Sequence, residues 1–281
     1  MTTPAADEHR WEYPLQPDER PYFYLGTHET SWLARPEFGG SWPTPLFISH
    51  RRLAGRRTLP RAHTPWALDS GGFSELSLYG GWHTTPTDYT TAVRRYEQHI
   101  DHLEWAAPQD WMCEPWIIAK TGLTVEEHQR RTVTNYLTLR RLDPDLPFIP
   151  VLQGWALADY QRCARMYADA DVDLTVEPLL GLGSVCRRQA TAEIGDIVTW
   201  AAEQGWRLHG FGVKAAGLAR YGHLLWSADS LAWSFNARRN PPLPGCTHRN
   251  CANCPRYVLA WRARMLARLT DPYQPTLPLA A

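Results

Sequence analysis

Short apolar runs recur along the chain, and most of them end on a polar residue or a glycine. They predict strands at Tyr22-Phe23-Tyr24-Leu25-Gly26, Pro45-Leu46-Phe47-Ile48-Ser49 and Pro65-Trp66-Ala67-Leu68-Asp69. Later runs predict five more, over Asp110–Glu114, Pro147–Gln153, Asp173–Pro178, Arg207–Val213 and Leu224–Asp229. The stretches between many of them show helical spacing. Tyr89, Val93, Tyr96 and Ile100 mark one face of a helix running from a Thr87 cap to Leu103. Thr124-Val125-Glu126-Glu127 is a capping box that opens a helix reaching Leu142. Further helices are predicted over 158–168, 190–204 and 257–269, and none between the first and third strands.

Eight strands separated mainly by helices predict an α/β fold, a (β/α)8 barrel of the TIM type. In such barrels the C-terminal strand ends carry the chemistry. Asp69, Glu114, Gln153, Gly183, Lys214 and Asp229 all fall there, whereas Asp110 falls at the opposite end of its predicted strand. Residues 1–20 read as a flexible arm, and residues 21–281 as one barrel domain.

Composition narrows the class. The formal net charge is zero, and lysine occurs only at Lys120 and Lys214, so the basic charge is nearly all arginine. Arginine suits phosphates and base edges. Candidates are Arg51, Arg52, Arg56 and Arg57, then Arg187 and Arg188, with Arg238 and Arg239 the strongest pair. The start of the chain lacks the apolar core of a signal peptide, and no run is long enough to span a membrane, which reads as a cytoplasmic protein. Six cysteines then point to metal binding rather than disulfides. Cys246, His248, Cys251 and Cys254 offer three thiols and an imidazole within nine residues. That set can surround Zn2+ tetrahedrally, as a structural site in the loop after the eighth strand that pins the C-terminal helix. Cys113, Cys163 and Cys186 read as buried thiols.

Asp69-Ser70-Gly71-Gly72-Phe73, the later Gln153-Gly154, the Gly181-Leu182-Gly183-Ser184 turn, Asp229 and the cysteine cluster follow one another in a telling order. The chain resembles tRNA-guanine transglycosylases over residues 22–268. It departs from them in Phe73-Ser74-Glu75, where that family has a glutamine after the aromatic residue, and in lacking a histidine beyond His248. The runs 181–188 and 227–234 are more similar to the divergent branch that modifies DNA, the deazapurine DNA modification protein A group.

The resemblance implies exchange of guanine in DNA for a 7-deazaguanine such as preQ0. Asp229 would be the nucleophile at the sugar C1′, and Asp69 the acid and base at the departing and incoming bases. Ser70, Glu114, Gln153, Gly154 and Gly183 would meet the base, with the Gln153 amide and the Gly183 N–H donating to O6. Phe73, or else Trp155, would stack on it. Lys214, Arg238 and Arg239 would meet phosphates. Related enzymes imply a homodimer or a partner protein. Three other readings stand beside this one: the same exchange on tRNA, a two-carboxylate glycoside hydrolase, and a binding module without catalysis. An N-cap role for Asp229 and an ion-pair role for Glu114 also remain open.

Overall fold

A computed structural model describes residues 21–186, 188 and 191–270. The expected arm over residues 1–20, the end of the chain from 271 onward and Arg187 lie outside the described residues. Eight parallel strands form the centre: β1 (Tyr22–Thr27), β2 (Leu46–Ser49), β3 (Trp66–Asp69), β4 (Leu103–Ala106), β5 (Val151–Leu152), β6 (Leu180–Leu182), β7 (Leu208–Gly210) and β8 (Ser227–Ser230). They hydrogen-bond in the order β4-β3-β2-β1-β8-β7-β6-β5. A parallel bridge between Ala106 and Phe148 joins the two ends of that order. The result is the TIM-like barrel the strand count predicts.

Ten helices flank the strands among the described residues: α1 (His50–Leu53), α2 (Gly72–Tyr79), α3 (Pro86–Ile100), α4 (Pro115–Thr121), α5 (Val125–Leu142), α6 (Leu157–Ala168), α7 (Ala192–Glu203), α8 (Ala215–Tyr221), α9 (Ala232–Arg239) and α10 (Pro255–Thr270). Between β1 and β2 there are only 3-10 turns, at Thr30–Ala34 and Pro36–Phe38. At the start of α5 the Glu127 N–H donates to Thr124 Oγ1 at 3.1 Å. The Glu127 carboxylate does not complete the capping box; it pairs with Arg130 and Arg131.

Two strands differ from the sequence reading. The fourth is Leu103–Ala106, not 110–114. Helix α3 starts earlier, on a Thr85 cap with Pro86 in its first turn, and stops at Ile100 because Asp101 and His102 both adopt left-handed backbone, at φ 71° and 57°. Asp101 steadies that turn: its Oδ1 accepts the His102 N–H, and its carbonyl accepts the Trp66 indole N–H at 2.7 Å. The sixth strand is Leu180–Leu182, not 173–178, because the earlier segment folds into turns.

Side chains alternate between the barrel interior and the helical shell. Tyr22, Tyr24, Phe47, Ala67 and Trp105 point inward, while Phe23, Leu25, Leu46, Ile48 and Leu68 pack against the helices. The β3–β4 register slips, Trp66 facing Leu103 and Ala67 facing Trp105. Such an irregularity re-aims a side chain, and it turns Glu104 inward to accept the Tyr24 hydroxyl at 2.7 Å. The Trp105 indole N–H donates to the same Tyr24 oxygen at 2.8 Å. Burial pushes the Glu104 pKa up to about 8.

Candidate active site

Asp69 is the last residue of β3, and the glycines after it shape its surroundings. Gly71 has φ 87°, and a β-carbon there would stand 2.9 Å from Arg51 Cγ, so both backbone and space favour glycine. Its N–H donates to Asp69 Oδ1 at 3.1 Å. Burial raises the Asp69 pKa, and the Asp229 charge adds to the rise; the hydrogen bonds from Gly71 and Ser49 oppose it. Ser70 Oγ is buried without a hydrogen-bond partner, a state that a bound ligand commonly relieves.

With β4 ending at Ala106, Asp110 sits in the loop beyond the strand, on the rim formed by the C-terminal strand ends and not at the far end. Sequence reasoning missed it for that reason. Asp110 Oδ2 accepts from the Gln153 amide. Burial raises its pKa to about 7, with the Gln153 hydrogen bond opposing and the Asp69 and Glu114 charges adding. The Gln153 Oε1 lies 2.7 Å from Ser184 Oγ, and Glu114 Oε2 lies 2.8 Å from the same hydroxyl. One chain of contacts therefore runs Asp110–Gln153–Ser184–Glu114 across the ends of three strands.

Two glycines are required by close packing. The Gly183 N–H, read from sequence as a donor to the base, donates instead to Leu152 O at 3.0 Å within the strand ladder. Residue 183 is glycine because of space: a β-carbon there would stand 2.1 Å from Gln153 Nε2. Gly154 is turned toward α6, where a β-carbon would meet Asp159 Cβ at 2.8 Å and the Tyr160 ring at 2.9 Å. The Gln153 amide, also read as a donor to the base, is engaged by Asp110.

Asp229 lies in β8, buried and paired in register with Tyr24 of β1. Its Oδ1 accepts the Gly212 N–H at 2.8 Å. His209 Nε2 of β7 lies 3.4 Å from the same oxygen. Nothing in the sequence singled out His209, since its neighbour is brought to it by strand register alone.

Aromatic and basic groups edge the mouth. Phe73 is 48% exposed on the first turn of α2, and Trp116 is 36% exposed on the first turn of α4. Their rings meet edge to face at 5.6 Å. Trp155, the other stacking candidate, is covered by the Arg188 guanidinium at 3.6 Å. Lys214 is exposed at the start of α8, and Arg238 and Arg239 are exposed at the end of α9, Arg239 lying 3.3 Å over the Phe235 ring. The His28 imidazole is held below its usual range by burial, then by the charges of Arg52 and Arg238, which gathers a basic edge from the ends of β1, β2 and β8.

The ligand atoms of Cys246, His248, Cys251 and Cys254 all lie within 4.8 Å of one another. The Cys246 and Cys254 sulfurs are 4.0 Å apart, and His248 Nε2 is 3.2 Å from Cys251 Sγ. A tetrahedral ion with bonds of about 2.3 Å to sulfur needs S···S edges of about 3.8 Å, so the cluster fits a metal ion. It lies between α9 and α10, and the Ser234 hydroxyl of α9 reaches Ala252 O at 3.2 Å.

The family model of DeoxyPurine in DNA protein A (DpdA) matches residues 19–279. The chain belongs to this family. DpdA membership ties it to deazapurine modification of DNA, and so makes DNA its substrate. No curated protein matches the chain. No helix among the described residues is long and apolar enough to cross a membrane.

Proposed function

We propose that this DpdA-family chain is a transglycosylase that exchanges guanine in DNA for a 7-deazaguanine such as preQ0. The observation that carries the reading is the pair Asp69 and Asp229. Both sit at the catalytic end of parallel strands, in one electrostatic neighbourhood, with Asp69 held toward its protonated form.

A carboxylate oxygen of Asp229 bonds to C1′ of the target nucleotide as the C1′–N9 bond breaks, its electron pair leaving with guanine. Asp69 gives its proton to that departing base. The incoming 7-deazaguanine loses its N9 proton to Asp69 and attacks C1′. The bond to Asp229 breaks and its carboxylate is restored. One proton goes out with guanine and one returns, so both residues end as they began. A partly dry site with a second carboxylate nearby suits Asp69 to this double task.

Asp110, supported by Gln153, is the acceptor for the N1–H and amino edge of the base. Ser70 supplies a further polar contact, and Phe73 with Trp116 covers the extruded base. Glu114 steadies Ser184 rather than touching the base. Lys214, Arg238 and Arg239 hold phosphates. The metal cluster takes Zn2+, which is structural: Cys246, His248, Cys251 and Cys254 hold it and fasten α9 to α10.

The test is uptake of labelled guanine and labelled preQ0 into duplex DNA and tRNA, side by side, with Asp229→Ala as control. Label in DNA that vanishes in the variant is the expected result. Label in tRNA alone would overturn the substrate but keep the chemistry. Sugar or base release with no uptake would replace exchange by hydrolysis.

A further inference from the structure

His209 stands beneath Asp229 inside the barrel. Its residue pairs in register with Ser227, so its ring enters the interior from β7 as Ser227 and Asp229 enter from β8. His209 is 0% exposed. Aromatic rings hold it in place, with Trp105 at 4.6 Å, Phe211 at 4.7 Å, Phe47 at 5.8 Å and Tyr24 at 5.9 Å between centroids. The imidazole has two polar neighbours: Nδ1 lies 2.8 Å from Ser227 Oγ, and Nε2 lies 3.4 Å from Asp229 Oδ1.

A neutral imidazole has one N–H, and the hydrogen bond at one nitrogen selects the tautomer. Burial lowers the His209 pKa against the pull of Asp229 and so favours the neutral ring. If the ring donated from Nδ1, the Nε2 lone pair would face a carboxylate. The arrangement that avoids this has the Ser227 hydroxyl donating to Nδ1 and Nε2–H aimed at Asp229. The Gly212 N–H already donates to Asp229 Oδ1 at 2.8 Å. The Gly212 N–H thus holds Oδ1, the buried His209 Nε2 has no hydrogen-bond partner and lies 3.4 Å from the same oxygen, and Oδ2 carries no hydrogen bond among the described residues.

We propose that His209, its tautomer set by Ser227, is a positioning residue that holds Oδ1 of Asp229 and leaves Oδ2 as the oxygen that bonds to C1′. The inference rests on the transglycosylase reading above. His209 neither gives nor takes a proton: the Oδ2–C1′ bond forms, the C1′–N9 pair leaves with guanine, and Asp69 supplies the proton. As the Oδ2–C1′ bond forms, the negative charge on the Asp229 carboxylate falls, so the 3.4 Å contact acts by fixing the orientation of the group before attack and not by strengthening during it.

The experiment follows the rate at which the full chain forms a covalent adduct with a guanine-containing DNA duplex. The adduct is resolved under denaturing conditions, and DNA affinity and melting temperature are measured in parallel. Three variants are compared with wild type: His209→Met, which fills the space without a donor; His209→Gln, which returns an N–H near the Nε2 position; and Ser227→Ala. The expected result is an adduct rate about 10- to 100-fold lower in His209→Met, the range for a hydrogen bond to a charged group. DNA affinity stays the same, His209→Gln recovers most of the rate, and Ser227→Ala lies between. A purely structural role would slow the Met and Gln variants alike and lower affinity with them, and that outcome overturns the proposal. So does a His209→Met variant that reacts at the wild-type rate. If wild type forms an adduct that Asp229→Ala abolishes, a failure of the His209 variants counts against His209 alone. If wild type forms no adduct, the transglycosylase reading falls and this inference falls with it.

Discussion

Gly183 is glycine because of Gln153: a β-carbon at 183 would overlap the Gln153 amide, at 2.1 Å from Nε2 and 2.5 Å from Cδ. The amide cannot move aside freely, since Asp110 holds one end and Ser184 the other. Gly183→Ala is therefore expected to break both contacts and to cost about 1–3 kcal/mol of stability, the range for leaving buried polar groups unpaired. It should also free Asp110 from its partner and weaken base binding more than DNA binding. Denaturant unfolding and the KM for the incoming base, measured on one preparation, check both effects. A variant with wild-type stability and KM would mean that Gln153 has room the structure does not give it.

Stability should depend on pH in a direction that follows from the buried acids. Glu104 rises to about 8 and Asp110 to about 7, both through burial. The folded state binds these protons more tightly, so their contribution is complete below the unfolded carboxyl pKa and is lost as pH climbs through the folded values. His50 works the other way: burial lowers it to about 4, so its contribution is present above about 6.5 and is lost as pH falls. His128 and His209 are shifted in the same direction. Between pH 6.5 and 8 each of these histidines regains at most about 0.4 kcal/mol, so the carboxyls still dominate. The unfolding free energy should fall across that window, by about 2 kcal/mol from Glu104 alone. Glu104→Gln should remove most of that slope in denaturant titrations at pH 6.5 and 8. An unchanged slope would show that Glu104 titrates near its ordinary value.

Metal removal should act on stability first. The purified protein should carry one zinc per chain by elemental analysis, and Cys254→Ser should lose it. Loss of the link between α9 and α10 should cost on the order of 3 kcal/mol, or about 10 °C in melting temperature for a chain of this size. A strong chelator should reproduce the shift in wild type and leave the Cys254→Ser variant where it was. Full zinc content in Cys254→Ser would remove that residue from the ligand set.

The aromatic edge should serve binding rather than folding. Phe73 and Trp116 are exposed, so Phe73→Ala and Trp116→Ala should leave the melting temperature nearly unchanged. Each should weaken DNA binding roughly tenfold, within the ~1–3 kcal/mol of one base-stacking contact. A melting temperature that falls while affinity holds would make the pair part of the core.

The sequence made some of this legible and hid the rest for identifiable reasons. Asp69 and Asp229 stood out because each closes a short apolar run, and such a run needs no distant partner to be read. The Cys/His cluster stood out because its four side chains lie close in sequence. Asp110 was misplaced because Glu104 interrupts the true fourth strand, whereas Trp111-Met112-Cys113 imitates one. A charge turned into a barrel interior by a register slip has no local signature. Leu180-Gly181-Leu182 was read as the turn after a strand when it is the strand, since the close approach that requires glycine there comes from Phe211 on another segment. His209 shows the same limit: its meaning depends on a strand pairing and not on its neighbours in sequence.

The seam where β1 meets β8 has a consequence for the order in which the enzyme is made. Tyr24 pairs with Asp229, and the Trp233 indole N–H closes onto Gly26 O at 2.8 Å from 207 residues away in sequence. Contacts so distant form late. While the ribosome is still working, β1 is an uncovered edge, and Asp229 has not yet been placed among its partners. The clasp of three thiols and an imidazole follows the strand that carries Asp229, and the helix after it reaches back to β1 through Arg262 and Phe23 O at 3.5 Å. A chain that stops short of β8 lacks both Asp229 and the Cys/His cluster, so the seam that closes the barrel and the cluster beside it are completed together.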